Sequence, residues 1–232
     1  MKHLSWVFLA LLALPLLVTP LAANQAWPQP LGVVESQNME FSGKGCVLAD
    51  GSYLISWSDY TDIVFNARVM RYSSSHQELW PQPLSLENTI INRILPTLDG
   101  GFLLVYSDLS TYMRARRYDA QAQPLWNGQE FGLGIYVSGF DMAIAEEASG
   151  SIWILCVSES DSAIYHYISP SGVPAATYGT IIGLSWNAAS PSLITCPGGG
   201  VILSFIMGHQ VRLYRVAQNQ SITWQQTVSA QP

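Results

Sequence analysis

The sequence predicts an all-β protein made of four tandem copies of one unit of about 49 residues. In each copy a turn that contains at least one glycine precedes a strongly apolar run. These runs are residues 53–57, 102–106, 152–156 and 201–205. A fixed period of this length indicates one supersecondary unit that must stack on its neighbours to bury its apolar face. The sequence shows no convincing helical period with capping residues.

Each copy divides into four strand candidates that are separated by turn signals. The fourth candidate opens on a tryptophan at the same place in three copies, as Trp80, Trp126 and Trp224, and the third copy has Ala176 there. Four short antiparallel strands in each repeated unit describe a blade of a β-propeller. A large aromatic ring at one fixed place suits the wedge between adjacent blades. We therefore predict a β-propeller, or a fragment of one, of four-stranded antiparallel blades.

The domain organisation follows from the repeats and from the N-terminal composition. Residues 1–23 have a short polar start, an apolar stretch and small residues at the end, which predicts a secretory signal peptide, with an uncleaved anchor as the alternative. The repeat domain then covers residues 24–232, with repeats at about 43–91, 92–141, 142–189 and 190–232.

An extra N-terminal strand is predicted at residues 25–35, because the sequence around Trp27 is nearly a copy of the sequence around Trp80. This gives one strand too many for simple closure of four blades. The count favours the front part of a longer propeller, with further blades in cis or a second copy completing the ring. A four-bladed ring with a redundant strand is the alternative.

The composition narrows the partners and the compartment. Charged residues make up 11% of the chain and the formal net charge is −6, whereas a typical soluble domain has about 25% charged residues. The weak basic content excludes a general nucleic-acid binder, which needs a positive footprint. We expect a secreted, cell-surface or periplasmic protein with a protein or glycan partner and no membrane contact beyond the signal peptide.

Cysteine is sparse, with Cys46, Cys156 and Cys196 only. All three lie in or beside apolar runs, which favours small core residues over a disulfide scaffold. A bridge between Cys46 and Cys196 is the competing interpretation, and an odd count leaves at least one thiol unpaired.

The repeated residues resemble a family of exported bacterial β-propeller repeats found in large surface and secreted proteins. The shared pattern is a glycine-rich turn, an apolar strand that ends in aromatic-x-Asp, an arginine-bearing strand and Leu-Trp. The second copy matches it with residues 99–108, 114–118 and 124–128. The third and fourth copies have Ser158 and Met207 in place of the aspartate. The resemblance implies a fold and an exported setting, and it implies no activity.

Two residue patterns offer candidate sites. Asp59, Asp62 and Asp108 lie in strand-connecting segments and are weak candidates for calcium ligands, since such sites need six to eight oxygens and aspartate also caps tight turns. Arginine recurs at two matched positions of three copies. We interpret these arginines as pairing with carboxylates or aromatic rings rather than as a polyanion-binding stripe.

The remaining candidates are aromatic residues in or near loops. Tyr60, Tyr112, Tyr136 and Trp186 are weak candidates for ligand contacts, while Trp27, Trp80, Trp126 and Trp224 are structural repeat positions. The sequence contains no nucleophile elbow, phosphate loop or paired-carboxylate motif. We therefore expect no enzyme and no cofactor, and we predict a protein-interaction or structural scaffold module. A polysaccharide hydrolase or lyase, or a carbohydrate-binding propeller, is the alternative.

Overall fold

The structure is a computed structural model that describes residues 39–61, 64–108, 112–136, 140–158, 162–176, 179–184 and 188–229. All of these residues lie in the unit Gln37–Pro232. The predicted signal peptide, the predicted strand at 25–35 with Trp27, Asp62 and Trp186 lie outside the described residues. The described chain is built from sixteen strands and one 3-10 turn, Trp126–Gly128.

The strands form four separate four-stranded antiparallel sheets, which confirms the predicted all-β, propeller-like fold. Sheet 1 consists of β1 (Met39–Val47), β2 (Tyr53–Thr61), β3 (Val64–Tyr72) and β4 (Leu84–Glu87). Sheet 2 consists of β5 (Thr89–Pro96), β6 (Phe102–Asp108), β7 (Tyr112–Tyr118) and β8 (Phe131–Tyr136).

Sheets 3 and 4 repeat the same strand order. Sheet 3 consists of β9 (Phe140–Glu146), β10 (Ile152–Ser158), β11 (Ser162–Ile168) and β12 (Thr180–Leu184). Sheet 4 consists of β13 (Ala188–Thr195), β14 (Val201–Met207), β15 (Gln210–Val216) and β16 (Ile222–Ser229). In every sheet, strands that are consecutive in the chain are hydrogen-bonded neighbours, as in a blade.

The turn between the first two strands of each sheet has a glycine in the left-handed region. Gly51, Gly100, Gly150 and Gly199 have φ between 81° and 88°. Glycine adopts this conformation without steric cost, so the tight turn recurs at each repeat. The glycine spacing thus marks the start of the second strand of each sheet.

The core lies between successive sheets. One cluster joins sheets 2 and 3 through residues such as Leu103, Val105, Ile152 and Ile154, all fully buried. A second cluster joins sheets 3 and 4 and includes Trp153. Alternate residues of one strand therefore face opposite neighbours, which is why the central strands are apolar on both faces.

The fourth strand differs from the prediction in three sheets. It was expected to open on the tryptophan, but β4 begins four residues after Trp80 and β8 begins five residues after Trp126. The chain makes an isolated bridge before each tryptophan and then leaves the sheet, so that the indole can reach the next sheet. Only in sheet 4 does the strand run through the tryptophan, Trp224.

The three cysteines are all thiols. Cys156 is buried between sheets 2 and 3, and burial raises the pKa of its thiol to about 12. Burial also raises the pKa of the Cys46 thiol, to about 11. Cys46 and Cys196, the proposed bridge partners, are both half-buried. Within the described residues, we find no helix of the length and apolarity that a bilayer crossing needs.

Candidate functional site

The aromatic-x-Asp segments form ion pairs within their own sheets. Arg68 Nε lies 2.8 Å from Asp59 Oδ2 in sheet 1, and Arg114 lies 2.8 Å from Asp108 Oδ2 in sheet 2. These two aspartates are two of the three calcium candidates, and each carboxylate forms an ion pair with an arginine. The third candidate, Asp62, is outside the described residues, among which no cluster of metal-ligating side chains occurs.

The other two copies explain why the arginine recurs. The third copy has Ser158 in place of the aspartate and Ile164 in place of the arginine, so it lacks both partners. The fourth copy keeps Arg212 but has Met207 at the aspartate position. Arg212 donates to Thr227 instead, and its Nε is buried without a hydrogen-bond partner. The first arginine position therefore serves the ion pair of its own sheet.

The second arginine position serves contacts between sheets. Arg71 donates to the Ala120 carbonyl of sheet 2 at 2.7 Å, and Arg117 donates to the Gly150 carbonyl of sheet 3 at 3.0 Å. Arg215, the matching residue of sheet 4, turns back and donates to the Gly199 carbonyl of its own sheet. Among the described residues, no further sheet lies beside sheet 4 to receive Arg215, in contrast to the sheets that Arg71 and Arg117 contact.

The tryptophans show the same difference. Trp80 and Trp126 are 8% and 6% exposed, and Trp224 is 45% exposed. Trp80 Nε1 donates to the Ala120 carbonyl and Trp126 Nε1 donates to the Pro170 carbonyl, each at 3.1 Å and each in the next sheet. Both rings thus lie between successive sheets.

The approach of Trp126 to sheet 3 is close enough to constrain the backbone on both sides. Trp126 has a φ of 56°, which is uncommon for a bulky residue. A Cβ added to Gly172 would lie 2.3 Å from the Trp126 ring. The sheet 2–3 contact therefore depends on a glycine at 172 as well as on the indole.

A cleft of about 710 Å³ opens between the turns of sheets 2 and 3 and contains three charged groups, Asp99, Arg117 and Glu146. Arg117 Nη2 lies 2.7 Å from Glu146 Oε1 and 3.2 Å from Asp99 Oδ2. Glu146 also accepts a hydrogen bond from the Leu98 amide at 2.6 Å. One buried guanidinium therefore bridges two carboxylates from neighbouring sheets.

The two carboxyl groups of this cleft have opposite pKa shifts. Burial raises the pKa of Glu146, although the Leu98 amide and Arg117 oppose that shift. Partial burial also acts to raise the pKa of Asp99, but hydrogen bonds from Thr97 and Gly101, with Arg117 nearby, lower it overall. The partners of Asp99 all belong to its own sheet, whereas Glu146 of sheet 3 is held by Arg117 and the Leu98 amide of sheet 2. The three charged side chains in the cleft are therefore all paired, and the pair of Arg117 with Glu146 connects the two sheets.

A second cleft of about 510 Å³ lies between the turns of sheets 3 and 4 and includes Glu147 and Cys196 in its lining. Glu147 Oε1 accepts hydrogen bonds from Trp153 Nε1 at 2.9 Å and from the Gly200 amide at 2.6 Å. Trp153 is fully buried and lies at the strand position that leucine occupies in sheets 1 and 2. Trp153 thus supplies an indole at the one contact where Ala176 has replaced the wedge tryptophan.

The predicted loop aromatics do not form a visible ligand site. The Tyr60 ring packs on Phe65 with centroids 4.8 Å apart, and the residue is half-buried. The strand positions of Tyr112 and Tyr136 are described without their side chains, and Trp186 is outside the described residues. Tyr112 and Tyr136 are cross-strand partners in β7 and β8, whereas Tyr60 lies in sheet 1.

The most unusual surface was missed by the sequence analysis. One face of sheet 4 is exposed where the matching faces of sheets 1 to 3 are covered by the next sheet. We call it the open face, and its large apolar residues are Ile194, Ile202, Ile206, Val211, Trp224 and Val228.

The exposure of the open face can be compared position by position. Val211 is 39% exposed, whereas its counterparts Ala67, Met113 and Ala163 are at most 2% exposed. Ile202 is half-buried, and the matching residues of the other three sheets are all fully buried. Four further open-face residues are more than a third exposed: Ile194, Ile206, Trp224 and Val228. Exposed apolar residues gathered on one surface mark a site of interaction.

The comparisons with known proteins add a description of similar folds. No family model matches the sequence, and no curated protein matches it. Among solved structures, the chain is similar to a protein of unknown function from Dyadobacter fermentans, with 9% identity and a TM-score of 0.43 over 83% of this chain and 65% of that one.

It is also similar to an endo-arabinase from Bacteroides thetaiotaomicron, with 11% identity and a TM-score of 0.42 over 82% of this chain and 74% of that one. The chain thus spans 65% of the length of the first of these structures. At such low identities and scores, the two matches carry no statement about activity or ligand.

Proposed function

We propose that this chain is a non-catalytic, exported module of propeller-like sheets that binds protein at the cell surface. The observation that carries the proposal is the open face of sheet 4. Its apolar residues belong to a type of face that is buried against a neighbouring sheet everywhere else in the described chain. A contiguous apolar surface of this kind is favourable to cover, because burial removes apolar area from water.

The state of the two clefts supports a non-catalytic role. A general acid or base needs a carboxyl group that can reach a substrate with a hydrogen bond. In the sheet 2–3 cleft, Asp99 and Glu146 are both held by Arg117 and by backbone amides. In the sheet 3–4 cleft, Glu147 accepts from Trp153 and from the Gly200 amide. These carboxylates contribute to the joints between sheets.

The proposal is tested with a photo-crosslinking amino acid placed at position 226 or at position 225. Gln226 and Gln225 are adjacent and both exposed, but Gln226 shares the face of Trp224 and Val228, whereas Gln225 pairs with Tyr214 on the opposite side. We expect the probe at 226 to form protein adducts in the cell-surface fraction of the producing organism and the probe at 225 to form few. Equal labelling from both positions, or none from either, would contradict the proposal.

A second measurement separates the proposal from the enzymatic alternative. The purified chain is incubated with a panel of plant, microbial and animal polysaccharides, and reducing ends and unsaturated products are measured over time. We expect no release above that of a heat-denatured sample. Release that is lost in Glu146→Gln and retained in Gln225→Glu would overturn the non-catalytic assignment and place the chemistry in the sheet 2–3 cleft.

A further inference from the structure

We propose that the open face of sheet 4 docks on sheet 1 of a second copy of this chain, in a head-to-tail contact. This inference rests on the proposed protein-binding function and names its partner. The contact would repeat between chains the arrangement that joins sheet 1 to sheet 2 and sheet 2 to sheet 3 within one chain.

The donating face already holds the two side chains that cross to the next sheet elsewhere. Trp80 and Trp126 each donate an indole N–H to a turn carbonyl of the next sheet, and Trp224 stands at the same repeat position, 45% exposed. Arg71 and Arg117 donate to turn carbonyls of the next sheet, and Arg215 stands at their position. Sheet 4 thus carries a tryptophan and an arginine at these two positions, with Arg215 donating to carbonyls of its own sheet in the single chain.

The receiving face is present on sheet 1 of the same chain. Trp80 packs on Phe102 of sheet 2, with ring centroids 5.9 Å apart. Sheet 1 has Tyr53 at the position that matches Phe102, and Ile55 and Trp57, both half-buried, follow on the same face. Val47, which lies beside them, is 67% exposed. The carbonyl that corresponds to those of Ala120 and Pro170 belongs to Ser74, an exposed turn residue.

Charge at the rim also fits this pairing. Asp50 lies in the turn of sheet 1 that corresponds to the turn reached by Arg117, and its side chain remains 57% exposed although it forms an ion pair with Arg71 of its own sheet. Arg215 of the donating copy would approach this turn as Arg117 approaches Gly150. Opposite charges at such a rim favour the docked register, although an exposed pair adds little affinity by itself.

The symmetry of the contact follows from the order of the sheets. Each copy has one donating face and one receiving face, so the contact is heterologous. Heterologous contacts close into a ring when the rotation allows it and otherwise extend into an open chain. Either product has a mass above that of a single chain and depends on protein concentration.

The primary experiment is light scattering on the purified chain over a range of concentrations. We expect a mass that rises from one chain toward two or more with concentration. Trp224→Ala should weaken self-association by roughly thirtyfold or more, as expected of an aromatic anchor in a contact centre. Gln226→Lys should have a similar effect because it places a charge in the contact, and Gln225→Lys should leave the association unchanged.

The second measurement maps the contact. A photo-crosslinking residue at position 226 of the purified chain should give a two-chain adduct in which the modified peptide includes residues 43–57 or 72–76. Circular dichroism and urea unfolding of each variant show that the fold is retained. Because Gln226 is fully on the surface, Gln226→Lys keeps the test valid even if Trp224→Ala folds poorly.

Each outcome decides the question. A single-chain mass at every concentration overturns the pairing. Association that survives Gln226→Lys, or adducts that map elsewhere, also overturns it. If the purified chain is a monomer but position 226 still labels another protein in the cell-surface fraction, the second-copy inference fails and the proposed protein-binding function stands. If the purified chain is a monomer and position 226 labels no protein in the cell-surface fraction, both the second-copy inference and the proposed protein-binding function fail.

Discussion

The contact between sheets 2 and 3 and the open face of sheet 4 carry the same repeat residues in different surroundings. Trp126 is 6% exposed and bonded to sheet 3, while Trp224 is 45% exposed. Arg117 bridges Glu146 and Gly150 of sheet 3, while Arg215 turns back to Gly199. The comparison shows that these tryptophan and arginine positions join two sheets only where a further sheet packs against them.

The largest test of this comparison is the pair Trp126→Ala and Trp224→Ala. Loss of the buried indole should lower the free energy of unfolding by about 4 kcal/mol, because a cavity opens between two sheets and the Pro170 carbonyl loses its donor. Loss of the exposed indole should cost less than about 1 kcal/mol in the monomer. Urea unfolding at a concentration where the chain is a single species measures both. Equal effects would show that the open face is covered in the monomer.

The arginines give the second test. Arg117→Met removes the buried guanidinium and leaves Glu146, whose side chain is 5% exposed, without its charged partner. We expect a loss of about 3 kcal/mol, since breaking a buried ion pair leaves an uncompensated charge. Arg215→Met, the matched control, breaks only hydrogen bonds to carbonyls of its own sheet and should cost about 1 kcal/mol. A larger loss for Arg215→Met would contradict the distinction between the two surfaces.

Sequence reasoning recovered the sheets and their joints because both follow from local patterns. The glycine turns and apolar runs fixed the number of sheets, and the spacing of Trp80 and Trp126 located two wedges. The exposure of Trp224 was not predictable, because the residue type is the same as at the buried positions of Trp80 and Trp126. Within the described residues, Trp224 differs from them only in that no further sheet packs against it. The late start of β4 and β8 was missed for a related reason. A tryptophan that reaches another sheet must leave its own hydrogen-bonded ladder.

The ion pairs of the aspartates did leave a signal in the sequence. Asp59 and Asp108 each have an arginine in the following strand, and the third copy lacks both the aspartate and the arginine together. Paired loss of this kind indicates a contact between two side chains. The calcium hypothesis considers the aspartates alone, whereas Arg68 and Arg114 recur together with them and are their partners.

The third test concerns His166, which lies in the same sheet 2–3 contact. His166 is 4% exposed, and burial lowers its pKa to about 4, with a hydrogen bond to the Leu133 backbone opposing the shift only in part. Between pH 6.5 and 4 the unfolded chain therefore binds a proton at this imidazole that the folded chain does not. Stability from this group is present above pH 6.5 and is lost as the pH falls toward 4.

The expected size of this loss is about 3 kcal/mol, because the pKa falls from 6.5 to about 4 and each pKa unit corresponds to about 1.4 kcal/mol. His166→Gln should remove that part of the pH dependence, so that the difference in unfolding free energy between wild type and variant shrinks as the pH falls from 6.5 to 4. His209→Gln is the control, because His209 is exposed in the turn between β14 and β15 and touches neither sheet contact. If the two variants gave the same pH profile, His166 would not be held neutral by burial.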